Sequence, residues 1–290
     1  MKQLTAIGLL ILVVPLLAWA QNLTDKAAKP TPSPEKKSAA PLDWGTDFWH
    51  GTIRGNFWNA DYASKFKFVG EANDEPQGTT VDIRDMLKLE TPASAWEGEL
   101  WARLSKRNRI FASYMFNSYS GHVDILDEQI EVGDKTFPAH VDVRTSLTNN
   151  RATLFYQFMP WANERGGIGP FLGVEFFQYM LEMKSNAADE KFEQKLLLPI
   201  PVLGLEADYI FGYGLGFWAK AAGIGASYQT VSASYFDLEA GLSFKWKLLF
   251  AGVGYRWLMY NLEAGEKGED GYVKFDTDQT GLLASVGLNF

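Results

Sequence analysis

One property limits what this 290-residue chain can fold into more than any other. Its apolar residues return at every second position, over segments longer than soluble strands use. In "WHGTIRGNFW", Trp49, Gly51, Ile53, Gly55 and Phe57 fall on one side, and His50, Thr52, Arg54 and Asn56 on the other. "WEGELWARLS" sets Trp96, Gly98, Leu100, Ala102 and Leu104 against Glu97, Glu99, Trp101, Arg103 and Ser105. In "YFDLEAGLSFKWK", Phe236, Leu238, Ala240, Leu242, Phe244 and Trp246 oppose Asp237, Glu239, Gly241, Ser243, Lys245 and Lys247. A period of two with one apolar face is the signature of a strand. Soluble strands run to about five or six residues, whereas a tilted membrane strand needs about 9–11.

Ten such segments fall near 48–66, 95–105, 109–120, 141–158, 168–183, 197–210, 214–228, 233–246, 249–262 and 277–290. Eight staves follow instead if those near 109–120 and 168–183 are not membrane strands. The connections alternate in length. "KRN", "MPWANERGG", "GYG" and "KL" are short, whereas 67–94, 121–140, 184–196 and 263–276 are long; only 229–232 is brief among the latter set. Short turns on one rim and long loops on the other describe an up-and-down transmembrane β-barrel with both termini on the short-turn, periplasmic rim. The expected fold class is therefore all-β, an antiparallel transmembrane barrel over 48–290.

The amino end fits export. Met1-Lys2 precedes an uncharged run, and Ala18-Trp19-Ala20 reads as a small-x-small cleavage site before Gln21. This describes a secretory signal peptide over 1–20. Its apolar core is shorter than the roughly 20 residues of a membrane anchor. Residues 21–47 contain "KAAKPTPSPEKKSAAP", with no apolar period, and read as a disordered periplasmic tether. The chain has no cysteine, which excludes disulfides and lipid attachment through a thiol.

At the other end, "TGLLASVGLNF" places Leu282, Ala284, Val286, Leu288 and Phe290 on one face of a final strand. A stop on an aromatic residue suits a stave that must pair with the first one. On these features the chain resembles the small bacterial outer-membrane β-barrel proteins. The resemblance implies an outer-membrane location after removal of the signal peptide. It also implies contact with outer-membrane lipid and lipopolysaccharide, and recognition by the barrel-assembly machinery through Val286, Leu288 and Phe290. Ser285 stands where a glycine is common in that signal. The resemblance covers the mature chain and speaks to class rather than activity.

Aromatics at strand ends (Trp49, Trp58, Trp96, Trp161, Trp246, Trp257 and Tyr260) form an expected headgroup girdle. A net charge of −8 argues against nucleic acid. The acid concentrates in the long loops, as at Asp124, Asp127, Glu128 and Glu131. Base sits near the short turns, at Lys106, Arg107, Arg109, Lys245 and Lys247. The three histidines are His50, His122 and His140. None forms the late serine-histidine element of outer-membrane lipid-A deacylases and phospholipases. His122 with Asp124 and His140 with Asp142 offer weak matches to the aspartate-histidine chemistry of omptin proteases. No catalytic residue, metal site or cofactor is assigned.

The polar faces converge on the interior. Alternation assigns Arg54, Glu97, Glu99, Arg103, Glu175, Glu206, Asp208, Lys220, Asp237, Glu239 and Arg256 to the lumen. A barrel of this strand number is narrow enough for side chains to fill it. The expectation is a mixed-charge plug and a structural or surface-interaction role. The alternatives are a narrow pore for small solutes or ions and, behind both, a surface hydrolase of omptin type. Mass spectrometry of fractionated membranes is expected to find the mature terminus at Gln21 in the outer membrane. An intact Met1 terminus in the inner membrane would contradict this.

Overall fold

A computed structural model describes residues 51–290, apart from 73, 74, 106, 164 and 229. The expected signal peptide with Ala18 and Ala20, the tether, Trp49 and His50 lie outside the described residues. Among the described residues every regular element is a strand. Ten staves form an antiparallel barrel: β1 (Gly51–Phe68), β2 (Ala93–Arg103), β3 (Asn108–Phe116, resuming as Ser118–Val123), β4 (Val143–Phe158), β5 (Gly166–Ser185), β6 (Glu190–Gly212), β7 (Leu215–Tyr228), β8 (Val231–Trp246), β9 (Leu249–Ala264) and β10 (Val273–Asn289). The segments near 109–120 and 168–183 are both staves, so the number is ten rather than eight.

Each stave pairs with its neighbours along the chain. The sheet closes where β1 meets β10, from Thr52 opposite Asn289 to Phe68 opposite Val273. Closure reaches the last residue. The Gly51 N–H donates to the Phe290 carbonyl at 2.8 Å, and the Phe290 N–H donates to the Gly51 carbonyl at 2.9 Å. The Phe290 ring lies on Gly51, where a Cβ would sit 2.7 Å from a ring carbon. Val286, Leu288 and Phe290 all face outward.

Turn chemistry fixes the short rim. Gly214 (φ +79°) stands between β6 and β7, and a Cβ there would meet the Lys245 carbonyl at 2.1 Å. This backbone is open to glycine at little cost. On the opposite rim, the expected long connection at 184–196 is mostly strand. Ser185 pairs with Glu190 around residues 186–189. Both faces of that hairpin carry polar residues, so hydropathy alternation does not mark it, and ion pairs such as Lys191–Glu182 at 3.2 Å link its strands.

β2 is shorter than the staves around it, and the segment after β1 completes the wall above it. Val81–Asp82 pairs with β1 at Phe66 and Lys65, and Leu89 bridges to Gly121 of β3. From this segment Val81, Ile83, Leu87 and Leu89 turn into one apolar cluster. Leu126, Ile130, Val132 and Phe137 of the second long loop join them. Inward-facing rings meet the same cluster from the staves: Tyr62 and Tyr119 lie 4.3 Å apart between centroids, and Tyr179 and Phe275 4.5 Å. The long-loop half of the interior is therefore packed mainly with apolar and aromatic side chains, with a few buried polar ones such as Asn149 and Gln279 among them.

The outer surface carries the apolar band that lipid requires, with Ile53, Leu100, Leu242, Leu282 and Val286 all exposed. Trp96, Trp161, Trp246 and Trp257 are exposed as a girdle needs. Trp58 and Tyr260 are not girdle residues. Both are buried inside, because they stand on the inward-facing alternate positions of β1 and β9, with Tyr62 and Leu258.

Deleting Phe290 removes the final hydrogen-bonded pair of the β1–β10 seam and uncovers Gly51. Unpaired backbone groups in lipid cost several kcal/mol each. The yield of compact, heat-modifiable barrel on gels is expected to fall in the order wild type, Phe290→Tyr, Phe290→Ala, deletion. A deletion that folds at wild-type yield would remove Phe290 from closure.

Candidate functional site

The inward positions of the staves hold a charged layer beneath the apolar cluster. At its centre Arg256 of β9 grips Asp237 of β8 with two nitrogens, Nε at 3.0 Å and Nη2 at 2.6 Å. Its third nitrogen, Nη1, donates across the lumen to Glu97 of β2 at 2.8 Å. Arg151 of β4 stands opposite. It pairs with Glu175 of β5 at 2.7 Å, Asp237 at 3.5 Å and Glu97 at 3.8 Å. Glu97 and Asp237 thus each bridge the same two arginines, and the four side chains form a diamond across the barrel. All five charged groups are almost wholly buried.

Neutral donors complete the cage. The Ser113 hydroxyl donates to Glu97 at 2.9 Å, and the Tyr235 hydroxyl donates to Asp237 at 3.1 Å. The Arg256 guanidinium lies 5.3 Å over the Trp58 ring. Beside the diamond, Lys220 pairs with Glu239 at 3.5 Å and Arg54 with Glu99 at 3.9 Å. Trp218 donates its indole N–H to Glu239 at 2.7 Å. Its ring lies flat on the wall. A Cβ on Gly241 would fall 2.4 Å from it, and one on Gly252 2.8 Å. Those glycines leave the space that the Trp218 ring occupies against the wall.

Below this layer, at the short-turn end, the interior opens into a cavity of about 260 Å³. Asp208 is held there by Arg109 at 3.1 Å and Lys245 at 4.0 Å. Arg103 and Glu206 line the same space. The eleven lumenal residues expected from alternation all face inward, but they divide. Glu97, Glu99, Glu175, Lys220, Asp237, Glu239 and Arg256 belong to the charged layer, with Arg54 at its lower edge. Arg103, Glu206 and Asp208 line the cavity instead, so Arg103 takes no part in the charged layer.

Sequence reasoning missed Arg151, a central cation. The inner face of β4 also carries Val143, Leu147 and Phe155, so neither of its faces reads as purely polar. The signal that would have found it is parity counted from Gln157, Asn149 and Thr145, which are buried like Arg151. Arg109 and Lys245, whose places beside the short turns suggest rim charges, both point inward to Asp208.

His122 and His140 do not build a centre between them. His122 lies 3.7 Å from Asp124 on the exposed rim. Asp142 accepts from the Ala187 N–H, and His140 donates its own N–H to the Leu126 carbonyl. Among the described residues the His122 and His140 sites share no hydrogen bond or ion pair. Nor do three His, Asp or Glu side chains there gather to hold a metal ion.

This architecture, a closed ten-stave barrel with an apolar outside and a charged interior, is that of the bacterial outer-membrane β-barrel proteins. The chain is similar in fold to the outer membrane protease OmpT of Escherichia coli. The identity is 11%, covering 84% of this chain and 100% of that one, with a TM-score of 0.50. It also matches Ail, the attachment invasion locus protein of Yersinia pestis, at 11% identity over 83% of this chain and 99% of that one, TM-score 0.35. Neisserial surface protein A matches at 9% identity over 83% and 97%, TM-score 0.30. No protein-family model matches the chain, and no curated protein is similar to it in sequence. At these identities the likeness is one of fold.

Breaking one arm of the diamond leaves buried charge uncompensated. Arg151→Met is expected to destabilise the refolded barrel by about 3 kcal/mol in urea titrations. The double variant Arg151→Met/Glu175→Met should lose less than the sum of the single losses. Lys191→Met, at an exposed pair, should leave the urea midpoint close to that of the wild type.

Proposed function

We propose that this chain is a closed, non-conducting outer-membrane barrel with a structural or surface-interaction role. The observation that carries this reading is the Arg151–Glu97–Arg256–Asp237 diamond, whose side chains join β2, β4, β8 and β9 across the lumen. Above it the packed loop residues Ile83, Leu87 and Leu126 fill the long-loop half. An ion on a straight path would have to break both layers. The pore reading has in its favour the short-turn cavity and a small void among Glu97, Arg151 and Asp237, but the ion pairs of the charged layer cross the lumen at that level.

A hydrolase of omptin type gains no support from the exposed and separate His122 and His140 sites. The surface left for interaction is the long-loop rim, with Asp124, Asp127 and Glu128 exposed to water.

Planar-bilayer recording on the refolded mature chain is expected to show no steady channels. Arg256→Ala/Asp237→Ala, which removes side-chain volume without leaving a net charge, is expected to introduce a small leak. Steady conductance in the wild type, with an ion preference that shifts in Glu97→Gln or Glu239→Gln, would mean that the same residues line a pore.

A further inference from the structure

We propose that the cavity at the short-turn end is a binding vestibule for a small soluble organic anion, one that carries a carboxylate or phosphate group on a ring. The proposal stands apart from the conductance reading, since a vestibule binds whether or not the layer above it passes ions.

Charge comes first. Arg54, Arg103, Arg109, Arg165 and Lys245 line the cavity, against the two carboxylates Glu206 and Asp208. Asp208 is already engaged by Arg109 and Lys245. Arg54 pairs with Glu99 of the layer above at 3.9 Å. Arg103 makes no ion pair or side-chain hydrogen bond among the described residues, although it is half-buried. Cations gathered between low-dielectric walls repel one another and focus a positive field on the mouth. Planar guanidinium groups match the paired oxygens of carboxylate and phosphate.

Two buried polar atoms stand at the same site with unmet hydrogen-bonding capacity. Arg54 Nε and Glu206 Oε2 have no hydrogen-bond partner among the described residues. The Arg54 Nε is a buried donor whose hydrogen-bonding capacity is unmet at the cavity wall. The Glu206 carboxyl works against an anion unless the ligand also brings a donor, such as a hydroxyl.

The walls give the rest of the ligand. Trp101, Phe217, Trp218 and Phe250 line the cavity, and the Arg54 guanidinium stacks 4.1 Å over the Phe250 ring. Apolar faces with a few converging polar groups describe a small-molecule site. A volume of about 260 Å³ suits a compact ring compound and is too small for a polymer. The lining residues face the interior, with Arg165 and Asn163 exposed at the mouth. Entry is thus from water at the short-turn rim rather than from lipid along the wall.

The test uses the refolded mature barrel in non-ionic detergent, titrated with phenyl phosphate, inorganic phosphate and phenol. Binding is followed by calorimetry and by quenching of tryptophan fluorescence, to which Trp101 and Trp218 contribute. Phenyl phosphate is expected to bind one to one and to weaken as sodium chloride rises, with inorganic phosphate weaker and phenol silent. Losing a charge-assisted contact in Arg103→Met should weaken phenyl phosphate about tenfold or more. Glu206→Gln should tighten it. Arg165→Met, at the exposed mouth, should weaken it without change in heat-modifiable migration, and decides the matter if Arg103→Met does not fold. The proposal is overturned if phenyl phosphate does not saturate, if phenol binds equally well, or if neither arginine variant alters binding. It is also overturned if binding appears only when phosphatidylglycerol vesicles are added, which would make the ligand a lipid headgroup.

Discussion

Everything in this molecule depends on pairing every backbone N–H and C=O across a sheet that has no edge. In hydrocarbon there is no water to satisfy an open strand. The β1–β10 seam is therefore the decisive contact, and it runs from Thr52 opposite Asn289 to Phe68 opposite Val273. It joins the two ends of the barrel sequence, so no local turn can form it. Phe290 completes it twice, with a backbone pair to Gly51 and a ring laid over that glycine.

Closure at ten staves sets the width, and the width sets what the inside must be. Inward side chains from opposite walls meet, so charge placed there has to be matched across the lumen. Arg256 reaches Glu97 over a sequence separation of 159 residues. Such pairs are costly to desolvate, and the layer compensates with bidentate geometry and with neutral donors from Ser113 and Tyr235. The result is a septum fastened to many staves at once, which couples the rigidity of the wall to that of the interior.

The two ends of the barrel are built differently. On the long-loop side, Val81 and Ile83 extend the wall above the short β2 and turn apolar side chains inward, where Tyr62, Tyr119 and Phe137 pack with them. On the short-turn side the connections are too brief to fold in. Among the described residues the interior there keeps a cavity, lined by Arg103, Arg109 and Lys245. An apolar lid on one face and a cationic recess on the other give the barrel a polarity that its hydrophobic belt alone does not.

The alternation by itself determined that the chain forms long strands, that one face of each meets lipid, and that the rims differ. It also placed residues such as Glu97, Asp237 and Arg256 on the inner face, because charge is intolerable on the outer one. It went no further where that contrast vanishes. Trp58 and Tyr260 are aromatic yet interior, and the inner face of β4 mixes Phe155 and Leu147 with Arg151. The apolar loop cluster removes the polar signature from the upper lumen, so parity alone does not separate inside from outside there. Which carboxylate meets which cation, which charges form the septum and which line the recess were decided only by tertiary structure. The reason is that strand register around a closed barrel brings together residues whose spacing along the chain carries no trace of their contact.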